Sequence, residues 1–425
     1  MKTKNRTLIC SLCWTITIAL CAATVQAQSP STEELLAIIK QLEGRIKDLE
    51  SKKTNDTAGG VEPAKKSETA PAAGPQVKDD KSINGVLAFF NSTELTGFVD
   101  AYYGYNFNKP TGDAQLRNFD TKHNQFALNL AEIALEKKPT PERRLGFRMD
   151  MDFGPATDIV HSAEPGGVEL MKHFQQGYLS YLAPVGKGLQ IDVGKFVTQH
   201  GAEVIETKDN WNYSRSLLFA LAIPYYHMGA RATYALNDKV AVAGFVVNGW
   251  NDVVDNNNRK TFGFQATLKP TAKLSITQNY MVGADQPKND HDIRNLWDTT
   301  VTYNVSPAFS LMGNYDYGID RASGAQVHWQ GFAGYARFQP NKWYALSPRF
   351  EWYDDHDGFT TGTKQILKEF TLTSEQKINN GLVSRFEYRR DLSDTPFFTR
   401  IGKGLVKSQS TVTVGLFYAF SSRAE

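Results

Sequence analysis

Residues 144–153 read RLGFRMDMDF. Leu145, Phe147, Met149, Met151 and Phe153 fall on one face of an extended strand, and Arg144, Arg148, Asp150 and Asp152 fall on the other. Side chains of a strand alternate between its faces with period two, so the segment sorts into an oily face and a charged face. A soluble barrel turns its apolar side inward. So dense a charged side fits the inverse arrangement, with water inside and hydrocarbon outside. A Lys or Arg at the lipid midplane costs about 2–4 kcal/mol, which is reason enough to keep the alternation strict.

The pattern recurs. Phe262, Phe264, Ala266 and Leu268 alternate with Thr261, Gly263, Gln265 and Thr267. Phe309, Leu311, Tyr315 and Tyr317 alternate with Ser310, Asn314 and Asp316, and Val412, Val414, Leu416, Tyr418 and Phe420 share one face of the last strand. From Glu94 to Phe420 the sequence predicts about sixteen strands, with eighteen as the competing count. Tight connections are expected at 138–143, 183–188, 237–238, 270–273, 306–308, 339–342 and 377–381. Long ones are expected between them, at 108–123, 154–173, 197–225, 251–259, 284–293, 319–326, 354–364 and 391–407. Short turns at one end and long loops at the other predict an all-β transmembrane antiparallel barrel of the outer-membrane type over 93–420. Tyr102, Tyr103, Trp250, Trp343, Tyr344, Trp352 and Tyr353 lie near strand ends, where interface girdles sit. Three places disturb the pattern: a change of parity between Leu130 and Ala131 that predicts a bulge, Gln278 on the presumed lipid face, and Pro348, which removes a ladder donor.

The region before the barrel reads as three segments. Residues 1–27 resemble a secretory signal: Lys2, Lys4 and Arg6, an apolar stretch from Leu8 to Ala23, and a cleavage site at Val25, Gln26 and Ala27. Residues 31–50 predict a short coiled-coil helix, with a capping box of Ser31 and Glu34 and a seam of Leu35, Ile39, Leu42, Ile46 and Leu49. Residues 51–82, rich in Ala, Pro, Gly, Lys and Glu, predict a disordered linker. Helix and linker together suggest a periplasmic stalk. Cys10, Cys13 and Cys21 all lie in the signal, so thiol chemistry is not expected of the mature chain. The whole chain carries 47 basic and 45 acidic residues; without Lys2, Lys4 and Arg6 the balance is 44 to 45, a net of −1. A nucleic-acid partner gets no support from that balance.

The longest connection, 197–225, reads VTQHGAEVIETKDNWNYSRSLLFALAIPY. Loops of this length are often functional. Its charges (Glu203, Glu206, Lys208, Asp209 and Arg215) precede an apolar run from Leu217 to Ile223 that would be a liability in water. Folded into the barrel, the run would pack on the inner wall and the polar part would narrow the pore. Charges facing one another across such a constriction filter solutes by size and charge. By parity the wall offers Arg144, Arg148, Asp150, Asp152, Asp192, Arg231, Arg349, Glu351, Glu369, Arg385, Glu387 and Arg389. The alternative role of these residues is to brace the barrel in charge ladders. Arginines and carboxylates are mixed, which argues against a dedicated anion channel.

The stretch GKFVTQHGAEVIETKDNWNYSRSLLFALAIPYYHMGARATY, with TGFVDAYYGYNFN near the start, resembles the OmpL-like β-barrel porins (porin family 2) over about Leu95 to Phe420. The resemblance implies an outer-membrane diffusion channel and carries over no ligand residues. A looser similarity to phosphate-selective porins lacks their arginine ladder.

The expectation is a passive pore for small hydrophilic solutes, surrounded by outer-membrane lipid and assembled as a homotrimer. The alternative is a structural anchor or adhesin whose stalk contacts the cell wall. Enzyme activity, cofactors and metals are not expected: HExxH, GxSxG and P-loop patterns are absent. Asp354, Asp355 and Asp357 with His356 read as a solvated loop tip, because their spacing matches no calcium loop; the alternative is a divalent cation bridging external lipid phosphates.

Overall fold

The computed structural model describes residues 92–162, 171–322, 324–379 and 381–423. The expected signal, coiled-coil helix and linker lie outside these residues.

Strands β1 (Glu94–Asn106), β2 (Gln125–Lys137), β3 (Leu145–Phe153), β4 (Phe174–Ala183), β5 (Leu189–Val197) and β6 (Tyr226–Asn237) begin the fold. They are followed by β7 (Val240–Val247), β8 (Thr261–Thr271), β9 (Leu274–Gln286), β10 (Asn289–Ser306), β11 (Phe309–Ala322) and β12 (Ala325–Asn341). The last are β13 (Tyr344–Asp355), β14 (Gln365–Asn379), β15 (Leu382–Ser393), β16 (Phe398–Arg400), β17 (Gly404–Val406) and β18 (Ser408–Ser421). Sixteen of them close an antiparallel barrel, while β16 and β17 form a separate hairpin inside the last long loop. Closure is made by β1 and β18, in register from Thr96 opposite Ser421 to Asn106 opposite Thr411. Two short helices, α1 (Pro155–Val160) and α2 (Leu217–Leu221), lie in long connections.

The faces sort as the alternation requires. Leu145, Phe153, Phe262, Phe264, Val414, Leu416, Tyr418 and Phe420 are exposed on the outside, whereas Asp150, Asp152, Thr261 and Thr413 are buried inside. Gln278 does sit on the outer face, and its amide is not left bare. Its Oε1 accepts from Thr299 Oγ1 at 2.7 Å and its Nε2 donates to two backbone carbonyls at 3.0 Å. Pro348 pairs with Leu372 of β14, but the ladder to β12 has no pair at Ser347 or Pro348. The bulge of strand two falls at Asn129: Asp100 pairs with Leu130 and Ala101 with Leu128. The extra residue turns inward, where Asn129 Nδ2 donates to Asp100 Oδ2 at 2.7 Å.

Two of the expected long loops are tight hairpins. β9 and β10 run on to Gln286 and Asn289, and β11 and β12 to Ala322 and Ala325. The residues there are polar, and polarity at a strand end reads as loop. In the fold they pair across the strands instead, Arg294 with Asp320 at 2.6 Å and Gln286 with Asp320 at 3.1 Å. Three of the expected girdle aromatics face inward. Tyr102 accepts from Lys122 N at 3.0 Å, Tyr353 bonds Thr360 at 2.9 Å, and Trp250 packs edge-on against Trp329. Position near a strand end was the wrong criterion for these residues; parity decides which way a ring points.

The packed apolar core lies within the barrel. Leu217, Leu218, Phe219, Ala222 and Ile223 gather there with Phe98, Phe119, Leu130, Trp329, Tyr353 and Leu367 from the wall and the first long connection. Val414, 46% exposed and half-way along β18, tests the outer face. Val414→Arg is expected to cost about 2–4 kcal/mol, seen as a lower denaturant midpoint of the lipid-embedded barrel. An unchanged midpoint would contradict a lipid-facing position.

Candidate functional site: an inward segment on the inner wall

The segment between β5 and β6 is held to the wall of β12–β15 by charged side chains bonded to its backbone. Arg349 Nη1 donates to Glu203 Oε1 at 2.8 Å and to the Ser214 carbonyl at 2.7 Å, and its Nε donates to Glu369 at 3.1 Å. Arg385 Nη1 donates to the carbonyls of Thr207 and Asn212 at 2.8 and 2.9 Å. Arg389 Nη1 donates to the Arg215 carbonyl at 2.6 Å. The carboxylates do the converse. Glu387 accepts from the amides of Tyr213 and Ser214 at 2.6 and 3.0 Å, and Glu351 from those of Leu217 and Leu218 at 2.9 and 3.3 Å. The last two amides are free donors at the start of α2, where a carboxylate is electrostatically favoured. Ser216 caps the same turn by accepting from Phe219 N at 3.0 Å.

The segment also braces itself. Arg215 lies over the Phe119 ring at 5.1 Å, donates to the carbonyls of Val204, Ile205 and Tyr213, and reaches Thr207 Oγ1 at 3.0 Å. Space for the segment is built into the wall. A Cβ at Gly415 would stand 2.2 Å from the Tyr213 ring, and one at Gly331 would stand 2.6 Å from Leu218.

Exposure divides the nominated residues into two groups. Glu203, Arg215, Arg349, Glu351, Arg385, Glu387 and Arg389 are at most 4% exposed. Glu203 and Arg215 lie within the segment and the other five on the wall behind it, and all seven bond to its backbone. Glu369 and Asp192 are buried too, the latter paired with Arg231 at 2.8 Å. Arg148 and Arg231 keep 30% and 21% of their side chains open. Arg144 is half-buried and caps the Leu182 carbonyl at 2.9 Å. Glu206 and Lys208 are half-buried and Asp209 is exposed, with Lys208 and Asp209 paired at 2.5 Å.

Asp150 is satisfied by Arg148 at 2.9 Å and by Gln176. Asp152 is not: both its carboxylate oxygens lack a hydrogen-bond partner, as does Oε2 of Glu132, the residue directly opposite on β2. Asp150, Asp152 and Glu132 make one inner flank of the barrel acidic. At the short-turn end lies a cavity of about 720 Å³ bounded by Lys208, Arg337, Lys342, Lys377 and Arg385 with Asp209 and Glu375, so that end is predominantly basic.

Several residues that hold the segment were not foreseen. Asp100 accepts from Tyr213 OH at 2.9 Å and Thr207 Oγ1 at 2.6 Å. Asp298 and Asn314 accept from the amides of Gly201 and Ala202 at 3.0 and 3.2 Å. Asn212 Nδ2 donates to Thr373 Oγ1 at 2.7 Å, and Trp329 Nε1 to the Ala222 carbonyl at 3.1 Å. The first long connection joins them: Arg117 donates to Asp391 at 2.7 Å and Asn118 accepts from Tyr225 OH at 2.9 Å. Burial pushes the neighbouring Asp120 carboxyl up to about 6 against the pull of Arg117. It pushes buried His200, in the inward segment, down to about 3, so that its ring is neutral. Parity could have found Asp100, the one carboxylate among the inward positions of TGFVDAYYG. Glu132 was hidden by the misplaced bulge.

A family model described as putative beta-barrel porin-2, OmpL-like, matches residues 92–420. Among solved structures, the anion-selective porin from Comamonas acidovorans has a similar fold, with a TM-score of 0.53 at 13% identity over 77% of this chain and 99% of its own. The outer membrane channel DcaP of Acinetobacter baumannii gives 0.53 at 12%, over 77% and 97%. The trimer form of OmpT, an outer membrane protein of Vibrio cholerae, gives 0.52 at 12%, over 77% and 99%. At such identities the likeness is one of fold. No curated protein matches the chain.

Removing one partner from a buried charge network leaves the others uncompensated, at a cost of about 3–5 kcal/mol. Arg349→Ala strips Glu203 and Glu369 of their shared cation. The inward segment is then expected to come loose, with new protease cleavage between 198 and 225 in a barrel that still resists digestion elsewhere. Protection equal to that of the unaltered protein would show that the arginine does not hold the segment.

Proposed function

We propose, from the premise that this chain belongs to the putative beta-barrel porin-2, OmpL-like family, that it is a passive outer-membrane pore for small hydrophilic solutes, with segment 197–225 setting its aperture. The observation that carries this reading is the anchoring of the segment inside the barrel. Its hydrogen bonds reach β1 and β10–β15, whereas inward positions of β5, β6 and β8 keep polar side chains open or half-open, among them Gln190, Arg231, Thr233 and Thr267. Such groups exchange hydrogen bonds with water and with hydroxylated or amide-bearing solutes, and they bind none of them tightly. A diffusion path needs that balance, because a site that holds its solute also delays it.

Acidic and basic side chains share the interior: Glu132, Asp150 and Asp152 on one flank, and a mainly basic cavity at the short-turn end. A field across water-filled space orients dipolar solutes and slows apolar ones, which favours hydrophilic cargo. Transport follows the gradient.

Glu94 and Ser421 share a rim with the short turns. With short turns periplasmic, as is general for such barrels, the N-terminal stalk would lie in the periplasm. Assembly as a homotrimer is part of the proposal. The trimer form of OmpT offers the precedent.

Single-channel recording in planar bilayers tests the reading. The purified protein is expected to give discrete steps, and deletion of residues 203–222 should raise the step size severalfold while the heat-dependent gel shift of a folded barrel persists. A folded sample that never conducts would sink the pore itself. Steps of unchanged size after the deletion would leave a pore whose aperture lies elsewhere.

A further inference from the structure

We infer that the loop rim carries a binding site for a borderline divalent transition ion of the Zn²⁺ class, built from His328, His356 and Asp357. The residues come from a strand and from the connection that follows the next one. His328 stands near the start of β12 on the outward side, with the parity of Gln330 and Phe332, while His356 and Asp357 follow β13.

One ligand atom from each of the three residues lies within 4.8 Å of the other two. Asp357 Oδ2 is the common vertex, 3.4 Å from His328 Nδ1 and 3.6 Å from His356 Nε2. An ion with bonds of about 2.0–2.1 Å in tetrahedral geometry sets its ligand atoms about 3.4 Å apart. Two edges of the triangle already have close to that length. The third closes if the His356 ring moves, and it is 56% exposed. The two imidazoles stand nearly parallel, 14° apart, with centroids 6.3 Å apart.

A second observation points the same way. His356 Nδ1 lies 3.2 Å from Asp354 Oδ1. Donation of the Nδ1 proton to that carboxylate fixes the tautomer and leaves the Nε2 lone pair aimed at Asp357. This is the carboxylate–histidine arrangement that orients metal ligands. With the ring neutral and no cation present, the same geometry sets that lone pair against a carboxylate. Asp357 is held in place as well, since its Oδ2 accepts from the His328 amide at 2.8 Å.

The donor set selects the ion. Two imidazoles and one carboxylate suit Zn²⁺, Cu²⁺ or Ni²⁺, whereas Ca²⁺ and Mg²⁺ take oxygen ligands and more of them. Asp355, the other acid of this tip, is turned away. It accepts from the amides of Phe359 and Thr361 at 2.9 and 2.7 Å and shapes the loop. Bound metal would clamp the β11–β12 hairpin to the β13–β14 loop and leave a fourth position open to water or an outside ligand.

The test is titration of Zn²⁺ into the untagged, detergent-folded protein, followed by calorimetry, with Co²⁺ absorption as an independent report of imidazole ligation. One saturable equivalent per chain is expected, together with visible Co²⁺ bands. His328→Ala and His356→Ala should each abolish both signals. Asp354→Asn should weaken the affinity by about 10–100-fold. His356 is exposed and His328 and Asp354 are half-buried at the loop end, and the barrel's gel shift serves as a check on folding. Absence of saturable Zn²⁺ binding would overturn the site. So would binding that survives the double histidine variant, or Ca²⁺ competing as an equal.

Discussion

The structure depends on closure of the β1–β18 seam. In hydrocarbon every backbone amide and carbonyl must find its partner within the protein, and a sheet with a free edge cannot meet that demand. The register from Thr96–Ser421 to Asn106–Thr411 meets it over the length of both strands. Once the ladder is closed, each strand has one face in lipid and one in the lumen, and the sorting of side chains follows. Phe98, Asp100 and Tyr102 turn inward while Val99 is exposed to the outside. This is why Pro348 is tolerable: it interrupts one ladder and keeps its pairing in the next.

Closure leaves an interior problem. An inner wall of buried charges is costly unless each group is compensated. The inward segment supplies the compensation through its backbone. Its carbonyls accept from Arg349, Arg385 and Arg389, and its amides donate to Glu351 and Glu387. The segment therefore needs the wall as much as the wall needs the segment, which explains how a long connection can be ordered with only five residues of helix at α2. The compensation is not complete: both carboxylate oxygens of Asp152 and one of Glu132 are left without a hydrogen-bond partner.

Much of this was legible in the sequence. Period-two alternation gave the barrel, its sixteen-strand count and its inside-out polarity, because lipid enforces the pattern at every residue. The family resemblance carried by Gly194 to Tyr234 and by TGFVDAYYGYNFN agrees with the match over 92–420. The failures have two causes. Parity says which face a side chain takes and nothing about what covers it. Arg349, Glu351 and Arg385 were correctly placed inside, but their burial depends on a segment more than a hundred residues away in the chain. The hairpins at 286–289 and 322–325 were misread because strands that rise beyond the membrane carry loop-like residues. His328 could not be joined to Asp357 for the same reason: the contact is set by neighbouring strands and not by local spacing.

The charged inner wall also bears on why this sequence adopts only one register. Were the inner face apolar, a strand slipped by one residue would exchange one oily face for another at little cost. Here a slip carries every inward charge into lipid. On β15 alone it would expose Arg385, Glu387, Arg389 and Asp391, and each basic group at mid-depth would cost about 2–4 kcal/mol. The penalty accumulates along the strand and exceeds anything the correct ion pairs contribute to stability. The wall charges thus act twice, first by forbidding the wrong barrel and then by holding the inward segment of the right one. The second role depends on the first, since the arginines converge on the backbone of residues 203–215 only when all of β12–β15 are in register.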